Sequence, residues 1–269
     1  MKFALVQNNK VEATKGAKGV CPVCGFEVIA KCGEKNRHHW AHKIKCTDLW
    51  RENETDWHRN WKNQFPEEWQ EVVHFDDSGE KHIADVKTPE NWVVEVQHSF
   101  IDPKERRSRN KFYNTKSNLI WIVDGTRRPT DLKQFKDELG LGVSRYKKPF
   151  FIEPWGHSRL LKEWKNTDVF VFLDFGANVD FGKNDIDKEY LWCICPQIYN
   201  GKAFLTKITK SGLIKSLQNM EFGETLQNRI IEPLIKLESL ERENDIEQQR
   251  IKAELKKRYG NRPIPKIYR

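Results

Sequence analysis

The order of periodic segments along the chain predicts a mixed α/β (α+β) protein with an αβββαβ core and a C-terminal α+β extension that ends in a long helix. Apolar residues with the spacing of one helix face over residues 47–65 predict a first helix. Alternating polar and apolar residues then predict three strands, the first at about 69–75 and the other two within 83–97. A capped helix and a buried strand complete the core.

The first helix should turn a polar row toward the sheet. Its apolar stripe is aromatic and consists of Trp50, Trp57, Trp61 and Phe65. Glu54 lies within that stripe, so we expect its carboxylate to point toward the sheet rather than into solvent. His58 and Lys62 follow at successive steps of four and extend the row along the same flank. A solvated row of helical pairs is the alternative interpretation of these three side chains.

The second and third strands form a hairpin that brings two carboxylates together. A loop of Pro89-Glu90-Asn91 would pair Thr88 with Trp92. In that register Asp85 lies directly opposite Glu95, whereas a four-residue loop would shift the register by one. Two facing carboxylates repel each other unless a positive charge binds between them. Because divalent cations such as magnesium prefer hard oxygen ligands, the hairpin predicts a metal site.

The segments after the hairpin complete the core and extend it. Asp102 supplies an N-cap and Pro103 suits the first helical position of a basic helix, which a buried strand at 118–123 follows. Further helices are expected at 130–139, ended by Gly140, and at 158–164, with strands at 149–152, 169–175, 190–195 and 203–208. These strands form either a small accessory domain or extra strands of the core sheet.

The last segment predicts a long helix that is interrupted or begun near Glu232-Pro233, followed by a basic tail. The helix has a partial apolar seam, formed by Leu237, Leu240, Ile251 and Leu255. Such a seam allows either a homodimer or a fold back onto the body of the protein.

Residues 1–46 contain a metal-binding pattern. Cys21 and Cys24 flank a Pro-Val pair and precede a glycine, a tight knuckle that lets two thiolates reach one ion. His39 and His42 follow after fourteen intervening residues and complete a Cys2His2 set suited to structural zinc. The rival ligands are His38, Cys32 and Cys46, and one rival scheme replaces a histidine with Cys46. Because this module has little else from which to build a core, ion binding there would supply folding free energy.

Composition favours a nucleic-acid partner. The chain has 269 residues, a formal net charge of +8 and a pI of about 9.1, so it can neutralise phosphates, although excess lysine and arginine also serve solubility alone. The longest apolar run, around 169–175, is far shorter than the roughly 20 residues that cross a bilayer, and the first residues lack the apolar region of a signal peptide. We therefore expect a soluble cytoplasmic protein with no membrane partner, whose six cysteines favour metal binding or buried thiols over disulfides.

Together these motifs resemble the competence protein CoiA-like nuclease family, within the PD-(D/E)XK nuclease superfamily. In chain order they are Cys21-Pro22-Val23-Cys24, His39-Trp40-Ala41-His42, Glu54 with His58 and Lys62, Asp85, and Glu95-Val96-Gln97. The resemblance runs roughly from residue 15 to residue 125. Gln97 stands where most superfamily members carry lysine, a departure that the CoiA-like group shares.

The resemblance implies hydrolysis of DNA phosphodiester bonds in DNA uptake, recombination, mobile-element transfer or defence. Asp85 and Glu95 would be direct ligands of magnesium or manganese, and the Val96 carbonyl would complete the protein side. Glu54 would bind through water or hold a second ion. Gln97 would hydrogen-bond the attacking water without supplying charge.

Several further residues are candidates for DNA contact. His58 and Lys62 would contact the scissile phosphate or anchor Glu54. Three side chains of the second helix would hold the DNA backbone: Arg106, Arg109 and Tyr113. Ordinary surface roles for these three side chains are an equal alternative. The alternative function is a nucleic-acid-binding protein that keeps the nuclease frame without cleaving, and a zinc-ribbon scaffold for protein partners is a third hypothesis.

The expected domain divisions are a zinc module (1–46), the nuclease core (47–128), an accessory region (129–222), and the long helix with its tail (223–269).

Overall fold

The structure, a computed structural model, describes residues 1–34, 37–48, 50, 54–141, 150–152, 156–181, 189–199 and 202–260. The chain divides into two compact units, Met1–Phe222 and Gly223–Arg269. The second unit begins at the residue where the sequence predicts the start of the long-helix segment, and the basic tail at 262–269 lies outside the described residues. Within the described ranges, no helix is both long enough and apolar enough to cross a membrane.

A five-stranded sheet forms the N-terminal module. Its strands are β1 (Phe3–Val6), β2 (Asn9–Glu12), β3 (Lys18–Val20), β4 (Glu27–Lys31) and β5 (His39–His42), in the spatial order β2-β1-β3-β4-β5. Ala4, Val28 and Trp40 are buried in its core, and the Trp40 indole N–H donates to the Val11 carbonyl at 2.9 Å. The expectation that this module has little from which to build a core is therefore wrong. Its strands have only three to five residues. Such short strands do not show the alternation of polar and apolar residues from which a strand is predicted.

An eight-stranded sheet carries the remainder of the first unit. Its strands are β6 (Gln70–Phe75), β7 (Lys81–Lys87), β8 (Trp92–Gln97), β9 (Asn118–Asp124), β10 (Phe150–Ile152), β11 (Phe170–Asp174), β12 (Tyr190–Tyr199) and β13 (Lys202–Thr209). Their spatial order is β10-β13-β12-β11-β9-β8-β7-β6, with β8, β9 and β11 parallel to one another. The strands of the accessory region therefore extend the core sheet, which decides between the two arrangements that the sequence allows.

The helices of the described residues are α1 (Asp56–Lys62), α2 (Pro103–Asn114), α3 (Asp131–Leu141), α4 (Arg159–Trp164), α5 (Lys210–Gln218), α6 (Phe222–Leu226) and α7 (Glu232–Tyr259). Asp102 caps α2 as predicted and accepts a hydrogen bond from the Lys104 amide at 2.8 Å. The predicted stop at Gly140 is wrong, because α3 continues through it. Pro233 lies in the first turn of α7, directly after a π-helical turn at Gln227–Ile231, so the predicted interruption is confirmed.

Helix α1 begins later than the sequence predicts. The pattern over 47–65 predicts one helix, but α1 starts at Asp56 after the N-cap Thr55, whose side chain accepts from the His58 amide at 3.2 Å. Trp50 and Glu54 therefore lie in the segment before the helix, of which residues 49 and 51–53 are outside the described ranges. Trp50 continues the aromatic stripe from non-helical backbone, and for this reason the sequence pattern predicts a longer helix than the structure has.

The hairpin of β7 and β8 has the predicted register. The Thr88 amide donates to the Trp92 carbonyl at 2.9 Å, and continuing this register places Asp85 opposite Glu95. The three-residue loop closes through Asn91, which has a φ of 66°, a left-handed conformation that asparagine tolerates. The predicted hairpin is therefore confirmed, together with the order of elements α1, β6, β7, β8, α2, β9.

Candidate active site and metal cluster

One cleft beside the β7–β8 hairpin gathers the acids that the sequence singles out. The cleft, together with the open solvent at its mouth, has a volume of about 600 Å³, and Glu54, Asp85 and Glu95 all line it. It is also lined by His58, Lys62 and Val96, which the sequence assigns to the same site. Six further residues line the cleft without being assigned to the metal site from the sequence: Met1, Asp48, Trp50, Glu71, Ile83 and Arg109.

Asp85 is held from two sides. His58 Nε2 lies 2.9 Å from one carboxylate oxygen, and the Val96 amide donates to the other oxygen at 3.0 Å. Burial opposes ionisation, but the charge and hydrogen bond of His58, the charge of Lys62 and the Val96 amide hold the pKa of Asp85 below its usual value. Asp85 is therefore an ionised carboxylate at neutral pH, with both oxygens fixed in position.

Glu95 is the acid of this pair that resists ionisation. It is 3% exposed, and burial together with the negative charge of Asp85 raises the pKa of Glu95 to about 7, against the opposing effects of Arg109 and Tyr113. Arg109 Nη1 lies 3.1 Å from Glu95 Oε2, and the same guanidinium binds Glu105. Two facing carboxylates that keep a proton up to about neutral pH form a site at which a cation can replace that proton.

A buried lysine connects two more carboxylates. Lys62 Nζ lies 2.6 Å from Glu54 Oε1 and 2.7 Å from Glu71 Oε1. Burial opposes its charge, but Glu71, Asp85 and Glu54 raise the pKa of Lys62 well above its usual value, so it is a permanent cation. The Arg59 Nε also donates to Glu54, at 3.1 Å. Of the two roles expected for Lys62, the anchoring of Glu54 is the one seen in these contacts.

Glu71 enters the cleft from an irregular point in β6, where its φ is 45°. Its carboxylate accepts hydrogen bonds from the Lys2 amide at 2.8 Å and from the Phe3 amide at 3.0 Å, and so ties the N-terminal module to the cleft. Burial opposes ionisation, but Lys62 and these amides keep the pKa of Glu71 far below its usual value. A regular two-residue alternation does not predict this position, because the left-handed backbone redirects the side chain.

Asp48 and Trp50 come from the segment after the N-terminal module. Asp48 is buried, one of its oxygens lies 2.9 Å from His82 Nδ1, and it accepts the Trp50 and Ile83 amides at 3.0 and 3.2 Å. Burial opposes ionisation, but His82 and the two amides hold the pKa of Asp48 below its usual value. The sequence signal for Asp48 is that it lies two positions after Cys46 of the metal-binding pattern. This position does not predict the contact between Asp48 and β7.

Gln97 lies outside the set of described residues that line the cleft. Its side chain is buried, and its amide donates to the Ser99 carbonyl at 3.1 Å. The strand places Gln97 on the same face as Glu95, as the two-residue period predicts, but two residues further along β8.

The three side chains of α2 expected at a DNA backbone are all buried: Arg106, Arg109 and Tyr113. The Arg106 guanidinium lies 5.0 Å from the Trp164 ring centroid and donates to the Glu163 carbonyl. Arg109 and Tyr113 instead contact Glu95, and of these two only Arg109 is among the described residues that line the cleft. These positions favour roles in packing and in holding Glu95 over direct contact with a phosphate backbone.

A second cluster lies in the N-terminal module, where one ligand atom from each of Cys21, Cys24, His42 and Cys46 lies within 4.8 Å of the others. The Cys21 and Cys46 sulfurs are 4.0 Å apart, and Cys24 Sγ lies 3.4 Å from His42 Nε2. His39 is not part of this cluster, and its Nδ1 lies 2.8 Å from the Arg37 carbonyl oxygen. The rival scheme, in which Cys46 replaces a histidine, therefore describes the cluster, and His39 is the residue that it replaces.

The donor set of this cluster suits a metal ion such as zinc, which is bound by thiolate and imidazole ligands in sets of four. Burial opposes ionisation of Cys24, but backbone hydrogen bonds from Phe26 and Thr47 and contacts with Cys21 and Cys46 lower the pKa of its thiol. A lowered pKa favours the thiolate, which is the form that binds metal. The cluster could thus hold a metal ion with four protein ligands.

Residues 4–47 match the family model described as "Competence protein CoiA, N-terminal domain". The matched segment includes all four residues of the Cys/His cluster. No match was found among curated proteins or among solved structures. Because the matched segment ends before Asp85 and Glu95, the assignment of the core to a nuclease superfamily stays a prediction. The predicted resemblance to the CoiA-like family is therefore confirmed over residues 4–47, which are similar to the N-terminal domain of competence protein CoiA.

Proposed function

We propose that this protein is a metal-dependent nuclease that hydrolyses DNA phosphodiester bonds and acts in DNA uptake, recombination or defence. One observation carries the proposal: Asp85 and Glu95 face each other across a hairpin, in a cleft that Glu54 also lines. Carboxylates that converge in this way are the ligands preferred by magnesium and manganese. The CoiA N-terminal domain at residues 4–47 supports a competence-related role.

The charge of the cleft supports a metal-dependent reaction over phosphate binding alone. Among the described side chains that line it, five are carboxylates, Asp48, Glu54, Glu71, Asp85 and Glu95, and two are permanent cations, Lys62 and Arg109. With all seven ionised, these side chains have a formal excess of three negative charges, which the Met1 amino group and a protonated His58 would each reduce by one. A DNA phosphate is also negative and would be repelled. The cleft therefore needs bound cations before it can receive DNA.

The residues present fit such a cation. Glu95 retains a proton up to about pH 7 because Asp85 lies opposite, so a divalent cation could take the place of that proton. Asp85 and Glu95 would hold the ion directly, and Glu54 would hold it through water or hold a second ion. When bound, the ion supplies positive charge at the phosphate and makes a bound water acidic enough to attack near neutral pH.

The remaining cleft residues position these acids. His58 fixes one oxygen of Asp85, while Lys62 fixes Glu54 and places a permanent positive charge in the cleft. We assign to Lys62 the electrostatic task that a lysine at position 97 would have, because Gln97 carries no charge. Arg109 and Tyr113 hold Glu95.

The order α1, β6, β7, β8, α2, β9 supports a PD-(D/E)XK-type core for this reaction. Zinc in the Cys21/Cys24/His42/Cys46 cluster would have a structural role, since four protein ligands leave no open coordination position for substrate. Its binding would add to the folding free energy of the N-terminal module.

The alternative is a nucleic-acid-binding protein that does not cleave. The net charge of +8 and the neutral Gln97 favour this alternative. It predicts that DNA binding does not depend on the cleft acids, whereas the nuclease proposal predicts that the metal and the acids are needed together.

The test is a cleavage assay on the purified full-length chain with plasmid, linear and single-stranded DNA, in magnesium, manganese, calcium or EDTA. We expect cleavage with magnesium or manganese and a loss of at least about 100-fold for Asp85→Asn, because a direct metal ligand is removed. The matched control is Asp102→Asn, which makes the same acid-to-amide change at an exposed N-cap where asparagine is equally suitable.

The outcomes separate the two functions. Cleavage that survives equally in Asp85→Asn would mean a contaminating enzyme or a different active site. Absence of cleavage by either variant and by the wild type, combined with tight and salt-sensitive DNA binding in fluorescence anisotropy, would favour the binding protein. Loss in Asp85→Asn, with full activity in Asp102→Asn, supports the nuclease.

A further inference from the structure

The last residue of the Cys/His cluster and two residues of the cleft lie on one short segment. Cys46 belongs to the cluster, and Asp48 and Trp50 line the cleft. The described part of this segment contains neither helix nor strand, so side-chain contacts rather than a backbone ladder set its position. Its two ends are therefore held by different sites, the cluster at Cys46 and the cleft at Trp50.

Asp48 attaches the middle of this segment to the strand that carries Asp85. Its carboxylate accepts the Ile83 amide of β7 at 3.2 Å and lies 2.9 Å from His82 Nδ1. It also accepts the Trp50 amide at 3.0 Å, so the same carboxylate contacts both β7 and Trp50. Asp48 is 4% exposed, and a buried carboxylate with several hydrogen-bond partners has little freedom to move.

Trp50 lies against Arg109 and Tyr113, the two residues that hold Glu95. The Trp50 ring also stacks on His82, with centroids 3.3 Å apart and an interplanar angle of 11°. The Arg109 guanidinium carbon lies 5.6 Å from the Trp50 ring centroid, and the Tyr113 ring centroid lies 6.3 Å from it. A guanidinium that is confined against an aromatic ring keeps its donors in a fixed direction, here toward Glu95.

We propose that Asp48 and Trp50 are positioning residues through which a metal ion in the Cys21/Cys24/His42/Cys46 cluster holds Glu95 in place. The cluster fixes Cys46, the segment fixes Trp50 over Arg109, and Arg109 fixes the Glu95 carboxylate. The part of this inference that concerns catalysis rests on the proposed nuclease function. The mechanical connection between cluster and cleft does not.

The connection is tested by amide hydrogen exchange on the full-length protein loaded with zinc. The reporters are the Ile83 amide, which donates to Asp48, and the Val96 amide, which donates to Asp85. Removal of zinc by a chelator, or by Cys46→Ser, should speed exchange at both reporters. Trp50→Ala should do the same while the protein retains its zinc, and Trp50→Phe should largely restore the wild-type rate because it keeps an aromatic ring over Arg109.

The second readout is manganese binding to the cleft, measured by calorimetry with the zinc cluster filled. We expect about tenfold weaker binding for Trp50→Ala and near wild-type binding for Trp50→Phe, which is the range found for residues that orient a metal ligand. Trp57→Ala is the control for loss of a large ring, because Trp57 lies on α1 and its indole donates to Asp174. A merely structural role for Trp50 would lower the free energy of unfolding in Trp50→Ala without weakening manganese binding to the protein that remains folded, so urea unfolding is measured beside each titration.

Each outcome has one meaning. Unchanged exchange at Ile83 and Val96 after zinc removal would overturn the inference, even if the protein cleaves DNA. Faster exchange at both reporters, combined with no manganese binding by the wild type, would support the connection while removing the proposed nuclease function. If Cys46→Ser does not fold, chelation of the wild type and the two Trp50 variants decide the question.

Discussion

Glu95→Gln should change the pH dependence of stability by an amount that follows from the cleft geometry. The pKa of Glu95 is raised from 4.5 to about 7 in the folded protein by burial and by Asp85. Between these values the folded protein keeps a proton that the unfolded chain has lost, so stability falls as pH rises and levels off above about pH 7. At 1.36 kcal/mol per pKa unit, the total loss is about 3 kcal/mol. Glutamine does not titrate, and the variant should not show this loss.

The assay is urea unfolding and thermal melting of wild type and Glu95→Gln at pH 4.5 and pH 8. We expect the variant to gain about 3 kcal/mol relative to wild type between the two pH values, which corresponds to roughly 6–12 °C in Tm for a unit of this size. Glu90→Gln, on the exposed hairpin loop, controls for the loss of one acid. A difference between wild type and Glu95→Gln that is the same at both pH values would refute the electrostatic account of the cleft.

Three further predictions follow from individual contacts. His42→Ala should lose the metal of the Cys/His cluster, whereas His39→Ala should retain about one zinc per chain, as elemental analysis can show. Arg109→Met should lower stability at pH 8 by about 3–5 kcal/mol, because it leaves Glu95 buried without its cation, and Glu95→Gln in the same chain should recover most of that loss in urea unfolding. Gly125→Ala should cost about 1–3 kcal/mol, since a Cβ would lie 2.6 Å from the Phe175 ring, whereas Gly33→Ala has open space and should be near neutral by the same measurement.

The parts of the site that the sequence predicts are those set by local geometry. A three-residue loop ending in asparagine fixes the hairpin register, and the register alone places Asp85 opposite Glu95. The spacing of His58 and Lys62 likewise places them on one side of α1, whatever the helix packs against. The Asp85–Glu95 register and the His58–Lys62 spacing each depend only on residues a few positions apart, so both can be predicted from the sequence pattern.

The parts that the sequence does not predict depend on contacts between distant segments. Asp48 reaches β7 through residues 34 and 35 positions away, and Glu71 reaches Lys2 across 69 positions. The stripe that includes Trp50 has the period of a helix, yet Trp50 packs against the core from irregular backbone. The free energy gained on burial depends on where the ring lies and not on the backbone conformation that places it there. Periodicity reports which side chains are buried, but it does not report their partners.

The charge balance of the cleft explains how a glutamine can stand at position 97. In the superfamily that the sequence resembles, a lysine at this position would supply positive charge from the strand itself, but here the side chain at position 97 lies outside the described lining of the cleft. In this chain α1 supplies the positive charge instead, since Lys62 lies in the cleft between Glu54 and Glu71 and is 3% exposed. Its charge is held by three carboxylates, so it does not depend on pH in the physiological range. The electrostatics of the proposed reaction therefore follow from the total charge around Asp85 and Glu95, and not from the residue type at one position of β8.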